Sequence, residues 1–398
     1  MLLEILFFLF LGILTGTLTG LIPGIHINLI GAGIVSLSAI IFYTINPIYL
    51  VVFIVSMAIT HTFVDFIPSI FLGCPDTDTE LSILPGHQLL KNGEGYEAIL
   101  LTCYGSLAAV IALVIIAFPS IILISKTYES LKIAIPFVLI AILFFLIFTE
   151  RKKTSAFFVL LLTGILGFSV LNLGENSEVF LLPLLTGLFG ASMLIISIKT
   201  KIQIPKQKIT NPNTNITKPF IGALIASPIC SFLPGIGSGQ AAILGNSISK
   251  TDIKGFLVLL GATNTLVMGF SFISLYVIFK TRTGAAAAVQ DLIGVLSWQT
   301  LCLILIVALI SGVISFFITK SIAKKTSEKL EKINYTKISI ITLTFITILV
   351  FLVSGFLGLF IFIISTVTGI YSISLGVRRT NMMGCLLIPT IIFYLFAF

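Results

Sequence analysis

From Ala98 to Ser125 the chain carries no charged side chain, and comparable apolar runs recur along its whole length. A helix crosses the ~30 Å hydrocarbon layer of a bilayer in roughly 20 residues, so runs of this length read as membrane spans. They are continuous instead of alternating apolar with polar, which argues against a membrane β-barrel. The composition agrees: 57% of residues are hydrophobic and 10% charged, where soluble domains carry about a quarter charged. The fold class expected is an all-α polytopic membrane protein with about ten membrane segments, some of them broken or re-entrant half-helices.

The opening MLLEILFFLFLGIL holds Glu4 and no basic flank, so it reads as a first membrane helix rather than a cleaved signal. The net charge of +8 is what basic cytoplasmic loops give a bilayer protein, and nucleic acid is not an expected partner. Cys74, Cys103, Cys230, Cys302 and Cys385 are scattered without a CxxC pair, so neither a disulfide framework nor a metal site is indicated. A polar stretch, KTKIQIPKQKITNPNTNITK, divides an N-terminal membrane repeat at 1–198 from a C-terminal one at 219–398. This 199–218 linker, Arg151 to Lys153, Lys320 to Lys337, and the Arg378–Arg379 pair are assigned to the cytoplasm by their positive charge. The expected location is the cytoplasmic membrane.

Two windows interrupt the apolar pattern in similar words. Residues 18–31 read LTGLIPGIHINLIG and residues 228–241 read PICSFLPGIGSGQA. Proline lacks an amide donor and glycine tolerates unusual dihedrals, so Pro-Gly breaks a helix. Backbone groups freed within a membrane must be buried in protein or face a watery cavity, and matched breaks in two halves point to a transporter's binding site. Pro23, Gly24, His26 and Asn28 form the first candidate site; Pro234, Gly235, Gly237, Ser238 and Gln240 form the second. A half-helix beginning near Gly237 would direct amide donors and a positive dipole end at an anion. The plainer reading of each window is an ordinary turn between spanning helices.

The longest polar interruption, DFIPSIFLGCPDTDTELSILPGHQLLKNGEGYEAIL (65–100), reads as a re-entrant hairpin followed by an interfacial helix near 87–98. Asp76 and Asp78, with Thr77, Thr79 and Glu80, offer oxygen ligands to a hard cation such as Na⁺. His61 and Asp65 are four residues apart and share a helical face, a pairing suited to a proton relay. Thr263 and Asn264 interrupt another apolar run, and these six residues are the ion-coupling candidates: His61, Asp65, Asp76, Asp78, Thr263 and Asn264. Arg282 is a candidate partner for a carboxylate or phosphate.

Together, GTLTGLIPGI, IPSIFLGCPDTDTELSILPGHQLLKNGEGYEA and FLPGIGSGQAA resemble the TctA family, the large membrane subunit of tripartite tricarboxylate transporters, and most of all its shorter, archaeal-type members. The resemblance implies a carrier of two related halves that moves carboxylate anions with an ion gradient. It also implies a small membrane subunit and an extracytoplasmic binding protein as partners. Where the family has a Pro-Gly after the hairpin, this chain has Cys74-Pro75-Asp76, and His26 stands where a glycine is usual.

The function expected is therefore a secondary active transporter for a small organic anion, coupled to Na⁺ or H⁺ and needing no other cofactor. The alternative is a translocase for an anionic lipid carrier such as a polyprenyl phosphate. No HExxH, GxGD or P-loop occurs and the chain has three histidines, so an enzyme is not expected.

Overall fold

A computed structural model describes residues 2–22, 27–36, 45–73, 78–174, 177–200, 205–232, 237–281, 283–330 and 335–396. Among these residues every regular element is helical. Eight helical runs are long and apolar enough to cross a membrane, and Pro136–Phe148, Gly284–Ile293 and Arg379–Leu395 are shorter apolar helices. The expected all-helical, multi-span architecture is present.

The first half opens with α1 (Leu2–Leu21) and α2 (Ile27–Ser36), followed by α3 (Pro47–Val64) and α4 (Phe66–Leu72). Asn46 caps α3 by accepting from the Ile48 amide at 3.0 Å, with Pro47 in the first turn where its missing N–H costs nothing. Gly73, at φ 67°, ends α4 in the left-handed region. Next come α5 (Ile83–Lys91) and the long α6 (Gly95–Phe148). The interfacial helix expected near 87–98 is corrected here. Its residues split between α5 and α6, because Gly93 takes φ 79° and stops the helix.

Pro119 and Pro136 fall inside α6. Beyond it are α7 (Lys153–Leu171), α8 (Leu181–Leu185), a π-helical turn at Thr186–Ala191, and α9 (Ser192–Thr200). The second half contains α10 (Thr217–Phe232), α11 (Ser238–Ser249), α12 (Ile253–Ile278), α13 (Gly284–Ile293), α14 (Trp298–Lys329), α15 (Tyr335–Ser374) and α16 (Gly384–Phe396). Gly294, φ 66°, ends α13, and Gly355, φ 63°, interrupts α15.

Two spans form the interior. The most apolar window of Pro47–Leu72 is 100% buried and that of Ile253–Ile278 is 94% buried, against 28% for Leu2–Leu21. The outer helices turn Phe7, Leu14, Ile115, Phe118 and Phe356 outward, as a lipid-facing surface requires. The inner spans meet protein on all sides, so they are the ones that can carry polar side chains.

Small residues fix the packing directions. A methyl on Gly12 would strike Ser56 and the Phe53 carbonyl, on Gly16 Met57 and Thr60, and on Gly20 Val64. These contacts advance together, so α1 runs alongside α3 in the same direction. Likewise Pro219 on α10 meets Gly255 on α12, each near the start of its helix. Gly222 packs against Gly245 and Ser249, making α10 and α11 an antiparallel pair. At 16 and 12 residues, they are about 24 and 18 Å long, short of the ~30 Å layer. Parallel packing of α6 on α12 follows from Glu97 with Lys254, Ser106 with Gly261, and Leu113 with Gly269.

The linker is not a loose spacer. Gln207 accepts from the Gly95 amide at 2.8 Å and donates to the Leu90 carbonyl at 3.1 Å, while the Lys208 amide donates to the Gly93 carbonyl at 2.7 Å.

Candidate functional site

The two inner spans touch through their polar residues. Asn264 on α12 donates its amide to Asp65 Oδ2 at 2.9 Å, and Thr62 Oγ1 meets Thr265 Oγ1 at 3.1 Å. As the numbering rises along α3 it falls along α12, so the helices run antiparallel at this crossing. Asp65, Asn264, Thr62 and Thr265 are all at most 3% exposed. A buried carboxylate is tolerated only where hydrogen bonds replace water. Sequence spacing suggested His61 as the partner of Asp65. In the fold, the His61 ring meets Thr19 on α1 at 3.0 Å through Nδ1, and Asp65 accepts from Asn264 of the other half. Both side chains are buried.

Thr263 is next to this cluster in sequence but donates back to the Leu260 carbonyl of its own helix at 3.0 Å. Thr62 and Thr265 take the place it was given. Their signal was available: Thr62 lies one turn before Asp65, and Thr265 follows Asn264 directly. Thr60 extends the network to α14 by accepting from Ser315 at 2.9 Å.

A second meeting point lies at the start of α11. Gln240 closes a capping box, its Oε1 accepting from the Gly237 amide at 2.7 Å. Asp78, from the hairpin of the first half, sits on the same helix start. Its Oδ1 accepts from the Ser238 hydroxyl at 2.8 Å and the Ser238 amide at 3.2 Å, and its own carbonyl accepts from that hydroxyl at 3.0 Å. Gly237 has no side chain to offer, so a carboxylate from 160 residues away caps the helix instead. The Gln240 Nε2 group, on a side chain 1% exposed, has no hydrogen-bond partner among the described residues.

The hairpin is held in place behind Asp78. Ser69 on α4 meets Ser82 Oγ at 2.7 Å, and both hydroxyls donate to the Thr79 carbonyl. Asp78, read as an ion ligand, is thus brought to the predicted anion-binding Ser238. Pro23, Gly24, His26, Asp76, Pro234, Gly235 and Arg282 lie outside the described residues, as does the Asn28 side chain. Among the described residues no group of three His, Cys, Asp or Glu side chains converges as a metal site.

Below the hairpin lies a cavity of about 240 Å³. It is walled by Pro85, by Asn246 and Ser247 of α11, and by Arg378, Arg379 and Thr380. Arg378 is anchored by Glu150 at 2.6 Å through Nε and by Thr149 at 2.7 Å through Nη2. Nearby, burial holds His87 at a pKa of about 4, helped by the positive charge of Arg379 and Lys91.

Helices that bury polar side chains against one another and turn Phe, Leu and Ile outward define a multi-pass membrane protein with a polar interior. The chain belongs to the tripartite tricarboxylate transporter TctA family, whose pattern matches residues 6–384. It is 36% identical over 401 residues to an uncharacterized protein of Methanocaldococcus jannaschii, with 98% of this chain and 99% of that protein covered. No solved structure matches the chain.

Proposed function

We propose that this protein is a secondary active transporter for an organic anion of the carboxylate class, driven by a Na⁺ or H⁺ gradient. One observation carries the proposal: the first half sends two carboxylates to polar groups of the second, the buried Asp65 to Asn264 and the part-buried Asp78 to Ser238, inside a membrane protein. Ionisable groups are costly within a bilayer and mark ion or substrate pathways. Membership of the TctA family supports the same class.

In this reading the amide and hydroxyl of Ser238, with the Gln240 side-chain amide, receive the substrate carboxylate. Asp65, with Asn264, Thr62 and Thr265, serves the coupling ion. The two halves act as an inverted repeat with re-entrant pairs meeting centrally. Support comes from the packing: α1 lies parallel to α3 and α10 parallel to α12, while α3 crosses α12 antiparallel. The family name adds a small membrane subunit and an extracytoplasmic binding protein as expected partners.

The test is uptake into proteoliposomes. Purified protein should accumulate a labelled di- or tricarboxylate when an inward Na⁺ or H⁺ gradient is imposed, and lose accumulation when the gradient is collapsed. No gradient-driven uptake of any carboxylate in a panel would reject the proposal.

A further inference from the structure

We infer that the cavity between the hairpin, α11 and residues 378–380 is a second anion site, built for a compact di- or trianion. This rests on the anion-transport reading above and extends it to residues that neither window contains.

The described residues lining the cavity include two guanidinium groups and no carboxylate. Glu150 holds Arg378 by its Nε, and Thr149 takes a bond from Nη2, so the guanidinium is fixed in place at the cavity wall. Arg379 is 7% exposed, so its charge is withdrawn from water as well as from lipid. Thr380 is 2% exposed, and its hydroxyl lacks a hydrogen-bond partner among the described residues although the residue lines the cavity. A buried hydroxyl left unmet is costly, and an occupant with acceptor oxygens would meet it. Asn246 and Ser247 bring further polar surface to the opposite wall.

The volume selects the ligand. About 240 Å³ lies below the 300–1,000 Å³ typical of drug-sized ligands, which leaves room for a small acid and its water. Arginine forks match the planar oxygens of carboxylate and the tetrahedral oxygens of phosphate. The site also adjoins the helix break. Met383, at the end of the 379–383 turn, would lie 3.7 Å from a Cβ placed on Gly237, and Leu81 and Pro85 of the wall follow Asp78 in the hairpin. An anion leaving the start of α11 toward the basic side of the protein therefore meets these arginines.

Equilibrium binding of citrate and of inorganic phosphate to the detergent-purified full-length protein tests the assignment. The comparison is with Thr380→Val and Arg379→Gln. Valine fills the same space without the unmet hydroxyl, so Thr380→Val should keep or raise the melting temperature while weakening anion binding about threefold to tenfold. Arg379→Gln should weaken it tenfold or more. Wild-type affinity for both probes in both variants would overturn the assignment.

Adding an anionic phospholipid distinguishes the sources. If lipid alone stabilises the protein and does so less in Thr380→Val, the bound anion is a headgroup. If citrate or phosphate binds the delipidated protein, it is a free solute. Because binding is read at equilibrium, an absence of gradient-driven uptake would reject the transport proposal without silencing this experiment.

Discussion

Replacing Asp78 by Asn tests the central geometry. The Asp78 carboxylate occupies the start of α11, accepting from both the hydroxyl and the amide of Ser238. A substrate carboxylate bound at the same amides must displace it. Asparagine keeps an acceptor oxygen of the same shape but loses the charge. A hydrogen bond to a charged group contributes about 1 kcal/mol more than a neutral one. The helix dipole adds roughly 0.3–1 kcal/mol for a partly exposed anion at the first turn. Together the loss is about 2 kcal/mol, which favours release of the helix start by roughly thirtyfold. Where the capped state dominates, the apparent affinity for substrate should rise by up to that factor. The assay is initial uptake against substrate concentration at saturating driving ion, with Asp78→Asn beside the wild type. KM should fall severalfold or more. A KM that stays the same or rises, in a variant that inserts and transports, would refute displacement and leave Asp78 as a structural cap.

Three further outcomes follow from the same contacts. Asp65→Asn should abolish gradient-driven accumulation by tenfold or more while sparing counterflow exchange, because the hydrogen bond to Asn264 survives and the charge does not; preserved gradient dependence would remove Asp65 from coupling. Gly261→Val should destabilise the protein by about 1–3 kcal/mol, read as a lower melting temperature, since its Cβ would strike the Thr102 backbone rather than a movable side chain. His87 binds its proton near pH 6.5 when unfolded and about 4 when folded. Its neutral form therefore costs nothing above pH 6.5, and stability falls as pH drops from 6.5 toward 4, by about 2 kcal/mol at pH 5. The wild-type melting temperature should drop between pH 7 and pH 5, and His87→Gln should flatten that part of the profile.

The legible part of the fold was its local part. Long uncharged runs announced the spans, because that signal needs nothing beyond consecutive residues. The hairpin was legible as a polar insert but not in its joints. Gly93 rather than a continuous interfacial helix set the boundary between α5 and α6. For the site, sequence singled out Asp65, Asn264, Asp78 and Ser238 one by one. It paired Asp65 with His61 because four-residue spacing is the only contact a lone helix displays.

By itself the sequence determined that this chain lives in a membrane, where its helices break, and which polar residues the apolar runs must accommodate. Only the tertiary structure decided that Pro47–Leu72 and Ile253–Ile278 are the inner pair, since lipid tails are as apolar as leucine and a span reads alike whether it faces lipid or protein. Only the fold could join Asp65 to Asn264 across 199 residues and Asp78 to Ser238 across 160. Such pairs leave no periodicity in the chain; they exist because burial forces each polar group to find whichever partner the packing brings within reach.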